Sequence, residues 1–313
     1  MPITVVGSIA YDSVQTPFGS RERMLGGAAT HFALAARFFD EVRVVGPVGG
    51  DFREQDLQML RERGIDVSDV ELIASGSTFF WRGEYGWDLN TRETLETQLG
   101  VFDGFAPKLS ARSKSSDVLF LANIQPELQR EVRAQLPDAR FVALDSMNLW
   151  IEIAREALVA AIAEVDCLIL NDAELRQLTG KPNLVSAARE VFAWSTPQAR
   201  RGPSVIVAKQ GEYGAALITR ERFFSLPAYP LETVIDPTGA GDTFAGGLVG
   251  YIAANAHGEV GDELLRAAMA HATVLASFNV EEFGTDRVAQ LAREDVDARL
   301  AELQAITQFS VLT

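Results

Sequence analysis

A single cysteine, four lysines and no long apolar run set the first limits on this 313-residue chain. One thiol cannot form an internal disulfide. The apolar setting of Cys167 suits an inert buried side chain better than a nucleophile. No stretch approaches the roughly eighteen apolar residues of a membrane span. The start, Met1-Pro-Ile-Thr-Val-Val-Gly7, reads as a strand without the basic start and cleavage site of a signal peptide, so the expected location is the cytoplasm. Positive charge is scarce: 28 Lys and Arg stand against 43 Asp and Glu, for a net charge of −15. Such a surface repels phosphate backbones and anionic lipids, so neither a nucleic acid nor a membrane is expected as partner. A Walker A loop is also missing, because the one Gly-Lys pair, Gly180-Lys181, continues into Pro182. The glycines of Gly246-Gly-Leu-Val-Gly250 lie inside an apolar helical run rather than after a strand, which suits helix packing and not dinucleotide binding.

What is present is an alternation. Ile3–Val6, Val42–Val45, Val118–Leu121, Phe141–Leu144, Cys167–Leu170 and Val205–Ala208 are short runs rich in Val, Ile and Leu, as buried strands are. Helical patterns over 30–39, 54–63, 126–135, 150–163, 184–193, 241–254, 262–276 and 286–305 lie between and after them. The expected fold is therefore α/β: one unit over 1–313, with a mostly parallel central sheet flanked by helices. Residues 75–105 break the pattern with aromatics and β-formers, including Phe79, Phe80, Trp81 and Trp87. This region reads either as an edge hairpin or, with residues 12–24, as a small antiparallel lid over a cleft. Exposed aromatics there would also suit a homodimer through the lid.

The strongest chemical signal is Asp236-Pro-Thr-Gly-Ala-Gly-Asp242, which leads into an apolar helix. Gly239, Ala240 and Gly241 remove bulk where free N–H groups gather at a helix N-terminus, a ready anion site. Asp242 places a base beside it. An anion cradle touching a carboxylate is what phosphoryl transfer to an alcohol needs.

With the following Thr-Phe-Ala-Gly-Gly, this loop closely resembles the signature of the ribokinase-like, or PfkB, family of carbohydrate kinases, and the resemblance extends over essentially the whole chain. It implies ATP-dependent phosphorylation of a hydroxyl on a sugar or sugar-like molecule. A nucleoside is the alternative acceptor, since Phe79, Trp81 and Tyr85 could stack on a base, although apolar lid packing explains them equally well; a non-catalytic sugar- or nucleotide-binding regulator is the alternative from another class. It also implies Asp242 as general base, an anion hole at Gly239–Gly241, and Thr238 beside the nucleotide.

Asn171-Asp-Ala-Glu174 is similar to the family motif that organises hydrated Mg²⁺, although the pair also reads as an ordinary helix cap. Lys209, Gly211 and Gly214 resemble the loop that meets nucleotide phosphates and ribose, with Lys209 where many members carry Thr. Asp12 looks like the carboxylate that reads acceptor hydroxyls, an acceptor-only group suited to a vicinal diol. Gly26 and Gly27 resemble the glycine pair whose backbone approaches the substrate. His31 stands where Asn is common, and reads as a substrate contact or a helix-packing residue. The Gly46–Asp51 loop reads as a substrate contact or a turn. His271 is expected near adenine, and Asp236 with the Val280–Gly284 loop near a monovalent cation such as K⁺.

Overall fold

Runs of branched apolar residues build the centre of the fold. The computed structural model describes residues 1–194 and 202–308. Its strands are β1 (Ile3–Val6), β2 (Ala10–Thr16), β3 (Gly19–Gly26), β4 (Val42–Gly49), β5 (Ile65–Ile73), β6 (Phe79–Tyr85), β7 (Arg92–Gln98), β8 (Val118–Leu121), β9 (Phe141–Asp145), β10 (Cys167–Asn171), β11 (Val205–Lys209), β12 (Ala215–Thr219) and β13 (Phe223–Leu226). Its helices are α1 (Ala28–Ala36), α2 (Glu54–Glu62), α3 (Pro126–Gln135), α4 (Asn148–Ile153), α5 (Arg155–Ile162), α6 (Asp172–Thr179), α7 (Leu184–Ala193), α8 (Ala240–Asn255), α9 (Asp262–Asn279), α10 (Asp286–Gln290) and α11 (Arg293–Thr307).

Nine strands form one sheet in the order β13-β12-β11-β10-β9-β8-β1-β4-β5. The seven from β11 to β5 are parallel, while β12 and β13 close the far edge antiparallel. Alternate residues of each strand face opposite layers, so Ile3 and Val5 enter one core and Val6 the other. The first core holds α1, α8 and α9 against the sheet; the second holds α3, α5, α6 and α7. All six strands expected from the sequence are present. Strand β5 escaped that reading because Asp66, Ser68, Asp69 and Glu71 give it the look of a loop, which an edge strand tolerates. The helical run over 150–163 is divided at Ala154, and that over 286–305 at Leu291 and Ala292, where buried Leu291 turns inward and Asp295 caps the new start.

A separate four-stranded sheet, in the order β3-β2-β6-β7, forms the lid. It is mixed rather than purely antiparallel: β2 and β6 run parallel, Asp12 opposite Trp81. Parallel neighbours need a long crossover, and here the connection from β3 to β6 runs through the main sheet. The lid is thereby rooted in the body at two places. Asp51 fixes one root by accepting from the Thr78 N–H at 2.7 Å and its hydroxyl at 2.8 Å, and residues 46–51 lie outside the lining of the cleft beneath the lid. Among the described residues no helix is long and apolar enough to cross a membrane.

Candidate active site

Parallel strands present their carboxyl ends to one side of the sheet, and crevices form where neighbouring strands send their chains in opposite directions. The order β8-β1-β4 creates such a point beside β1. A cleft of about 680 Å³ opens there beneath the lid, reached by Ser8 after β1, Asn123 after β8, Asp145 at the end of β9, Asn171 at the end of β10 and Lys209 at the end of β11.

The loop ahead of α8 forms one wall. Gly239 is the helix N-cap with φ 76°, a left-handed backbone that glycine adopts without strain. A side chain there would also collide with His31, whose ring atoms lie 2.3–2.4 Å from where a Cβ would stand. The Cβ position of Gly241 is 3.0 Å from Lys209 Nζ, so the ammonium sits beside the first turn of α8. Asp242 follows in that turn and faces the cleft. Burial, with added repulsion from Asp145, pushes its carboxyl up to about 7 against the opposing pull of Lys209. Burial opposes the Lys209 charge, but Asp145, Glu174 and Asp242 outweigh it and hold that pKa above the ordinary lysine value. Lys209 donates to Asp145 at 2.8 Å.

A second wall of the cleft comes from the start of the lid and from α1. Asp12 is buried on β2, and its carboxyl rises to about 7 through burial and the nearby charge of Asp236. Gly26 makes room for it: a Cβ would lie 2.0 Å from Asp12 Oδ2. Gly27, with φ 94°, caps α1 and lines the cleft. His31 is buried below the anion loop. Its Nδ1 meets Asn279 Oδ1 at 3.0 Å, and that oxygen already accepts from the Thr243 hydroxyl at 2.9 Å. An amide oxygen can only accept, so Nδ1 carries the proton and Nε2 is left as an acceptor. Nε2 is buried at the cleft without a partner among the described residues, and burial drives the imidazole pKa down to about 4, keeping it neutral.

Asn171 and Glu174 hold each other. The Asn171 side chain accepts from the Glu174 N–H at 2.7 Å, while Glu174 Oε2 accepts from the Asn171 N–H at 2.9 Å, a reciprocal cap on α6. This leaves Glu174 Oε1 as the oxygen available to a hydrated metal, and burial raises the Glu174 pKa. No cluster of three or more His, Cys, Asp or Glu fit to cage a metal exists among the described residues. A Mg²⁺ that keeps most of its waters fits this arrangement, and a directly caged ion does not.

Four expected site residues stand elsewhere or act differently. His271 is a correction: its ring stacks on Tyr251 at 4.1 Å and its Nδ1 meets the Ala267 carbonyl, because this face of α9 packs on α8 rather than on the cleft. Gly211 and Gly214 lie in the turn between β11 and β12, outside the cleft lining. Gly214 is dictated by packing, since a Cβ would stand 2.1 Å from the Leu226 carbonyl. Asp236 accepts from the Thr238 N–H at Oδ1 and from the Gly284 N–H at Oδ2. Its carboxylate therefore joins the anion loop to the 280–284 loop instead of facing open space.

Three residues of the arrangement, Asn279, Asp145 and Arg92, escaped the sequence reading, while Tyr85 was legible only as an aromatic that could stack on a base. Asn279 also donates to the Thr238 carbonyl at 2.7 Å, linking His31, Thr243 and the anion loop. Tyr85 of the lid meets the Thr238 hydroxyl at 3.1 Å. Asp145 pairs Lys209, and Arg92 of the lid lines the cleft. A carboxylate ending a buried strand was the one legible signal, at Asp145.

A buried carboxylate at a glycine-rich helix start and a second buried carboxylate, Asp12, share one cleft under the lid, an arrangement suited to a small-molecule kinase. Comparison with known proteins agrees. The pfkB family of carbohydrate kinases matches residues 3–290, and the chain belongs to this family as a phosphotransferase with an alcohol acceptor. It is 30% identical over 258 residues to the cytidine kinase of Thermococcus kodakarensis, covering 80% of this chain and 88% of that one. Its fold resembles the Burkholderia thailandensis nucleoside kinase in complex with inosine, with a TM-score of 0.75 at 20% identity over 96% of this chain and 97% of that one. It also resembles a Vibrio cholerae fructokinase double mutant with fructose, ADP and potassium bound, with a TM-score of 0.74 at 18% identity over 96% of this chain and 98% of that one.

Proposed function

We propose that this protein transfers the γ-phosphoryl group of ATP to a hydroxyl of a nucleoside. The observation that carries the choice of acceptor is the apolar lid wall. Beyond Asp12, the cleft is faced by Phe79, Trp81, Leu99 and Phe102, with Phe79 edge-on to Phe102 at 5.7 Å. A base gains from burial against such a wall, whereas a free sugar would leave much of it uncovered. The cytidine kinase relative supports the same reading.

In this reading Asp12 accepts hydrogen bonds from two sugar hydroxyls and His31 Nε2 accepts a third. Asp242 takes the proton of the reacting hydroxyl. The N–H groups of 239–241 and the Lys209 ammonium stabilise charge on the phosphoryl group. Glu174 would hold the water shell of Mg²⁺, which supplies charge neutralisation on the phosphates. Tyr85 joins lid to anion loop through Thr238, so closure excludes water at the point of transfer. Asp236 bears on any potassium effect by fixing the two loops, and turnover in potassium against sodium reads that out. Exposed Trp87 and Leu95 extend the proposal to a homodimer through the lid.

The test is ADP release with Mg-ATP across nucleosides and free sugars. Higher kcat/KM for a nucleoside is expected; preference for a free sugar overturns the nucleoside reading. A free sugar is the second reading, favoured by Ser146, whose buried hydroxyl faces the cleft without a partner among the described residues and would suit an added polar group.

A further inference from the structure

One cation of the cleft has no task in the steps above. Arg92 is the first residue of β7, opposite Tyr85 in the lid sheet. Its side chain lines the cleft together with Asp12, Lys209 and Asp242. The guanidinium carbon lies 5.3 Å from the Trp81 ring centroid, a cation–π contact that aims the planar group. Its positive charge lowers the pKa of Asp12, Glu174, Asp242 and the Tyr85 hydroxyl, although burial raises each of them more. Asp12, Tyr85, Glu174 and Asp242 line the same cleft as Arg92, so the guanidinium shares one space with them. Among the described residues no carboxylate pairs with Arg92, whereas Lys209 is already bound to Asp145 and Arg82, on the next strand, pairs with Glu96.

We propose that Arg92 is a catalytic residue delivered by the lid, which hydrogen-bonds the phosphoryl group during transfer so that closure completes the positive charge of the site. This rests on the phosphoryl-transfer reading. The bond between the acceptor oxygen and Pγ forms as the bond from Pγ to the ADP oxygen breaks. The electron pair leaves with ADP, and the hydroxyl proton passes to Asp242. Arg92 gives up no proton: its fork of N–H donors matches two phosphoryl oxygens, where the developing charge is spread. The body of the protein has its cleft lysine partly neutralised by Asp145, so the lid supplies the charge that the body lacks. With the lid open, ATP meets the anion loop without Arg92, which protects it from hydrolysis until an acceptor is in place.

Arg92→Ala should lower kcat at least about a hundredfold, with KM for ATP and acceptor changed only a few-fold. Arg92→Lys should recover little, because the fork is lost. Added guanidinium should restore part of the Arg92→Ala turnover, a rescue that a purely structural role would not give. Binding of ADP with aluminium fluoride and acceptor should weaken by a similar factor, with binding of ADP alone unchanged. Arg82→Ala, on the same lid sheet, should keep wild-type kcat. Wild-type kcat in Arg92→Ala, or a raised acceptor KM at unchanged kcat, overturns the proposal. So does an equal fall in Arg82→Ala without guanidinium rescue, which assigns the effect to lid folding. If the wild type turns over no acceptor at all, the parent reading fails with it; if only the Arg92 results fail, the parent reading stands.

Discussion

Two carboxyls, Asp12 and Asp242, have pKa values near 7, each raised first by burial. In the proposed reaction both work as ionised groups, so kcat/KM should fall as pH drops below about 7 and level off above it; a flat profile from pH 5 to 8 would contradict these assignments. Stability runs the other way. An unfolded carboxyl titrates near 4. Between about pH 4 and 7 the folded protein holds the extra protons, so the contribution of these two groups to stability is greatest below that window and is lost as pH rises through it. Asp242→Asn removes this conflict. It should lower turnover by orders of magnitude while still binding ATP, and should melt above the wild type at pH 8, with the difference shrinking at pH 5. ADP release, calorimetric ATP binding and thermal melts at the two pH values check the three parts. Asp242 was readable in the sequence because its neighbours strip the loop of side chains. Arg92 was not, since an arginine at a strand start looks like any solvated surface charge until the lid is folded over the cleft.

At the level of elements, two helix starts carry the chemistry. The start of α8 has no side-chain cap and glycines at 239 and 241, although the Ala240 N–H donates to the Pro237 carbonyl at 3.2 Å, and the start of α6 is closed by the Asn171–Glu174 box. The sequence pattern is an acidic first turn in both cases, yet one end is left for a ligand and the other is satisfied internally. Asn171→Ala should cost about 1 kcal/mol of stability through the lost cap, and should release Glu174 from its fixed rotamer, raising the Mg²⁺ concentration needed for half-maximal turnover. Chemical denaturation and a Mg²⁺ titration read out the two effects; unchanged values in both would remove the cap from the account. The helix patterns at 126–135 and 184–193 matched their elements end to end, because Pro126 starts the first and Asn183 caps the second. Breaks at Ala154 and Leu291 were hidden, since apolar periodicity continues across them.

For the whole molecule, the deciding feature is a lid built from two distant stretches. Residues 10–26 and 79–98 meet only because β2 and β6 pair in parallel after the chain has passed through the main sheet. The outer lid carries Trp87, 84% exposed, and this is the residue on which the lid-mediated dimer is argued. Trp87→Lys should shift the protein from dimer to monomer in sedimentation velocity at micromolar concentration; a wild-type monomer, or a variant that still dimerises, would remove the lid from the interface.

The sequence by itself determined the alternation of strands and helices, the parallel sheet and the anion loop with its base. Each of these is written locally, in branched apolar runs, in glycine spacing and in one carboxylate at a helix start. Only the tertiary structure decided what faces the ligand. It turned His271 into a packing residue and left His31 as an unpaired acceptor. It occupied Asp236 with two loops and brought Arg92 and Tyr85 down from the lid. His31 meets Asn279 across 248 positions and Tyr85 meets Thr238 across 153, and such meetings of distant side chains are a condition that no local pattern records.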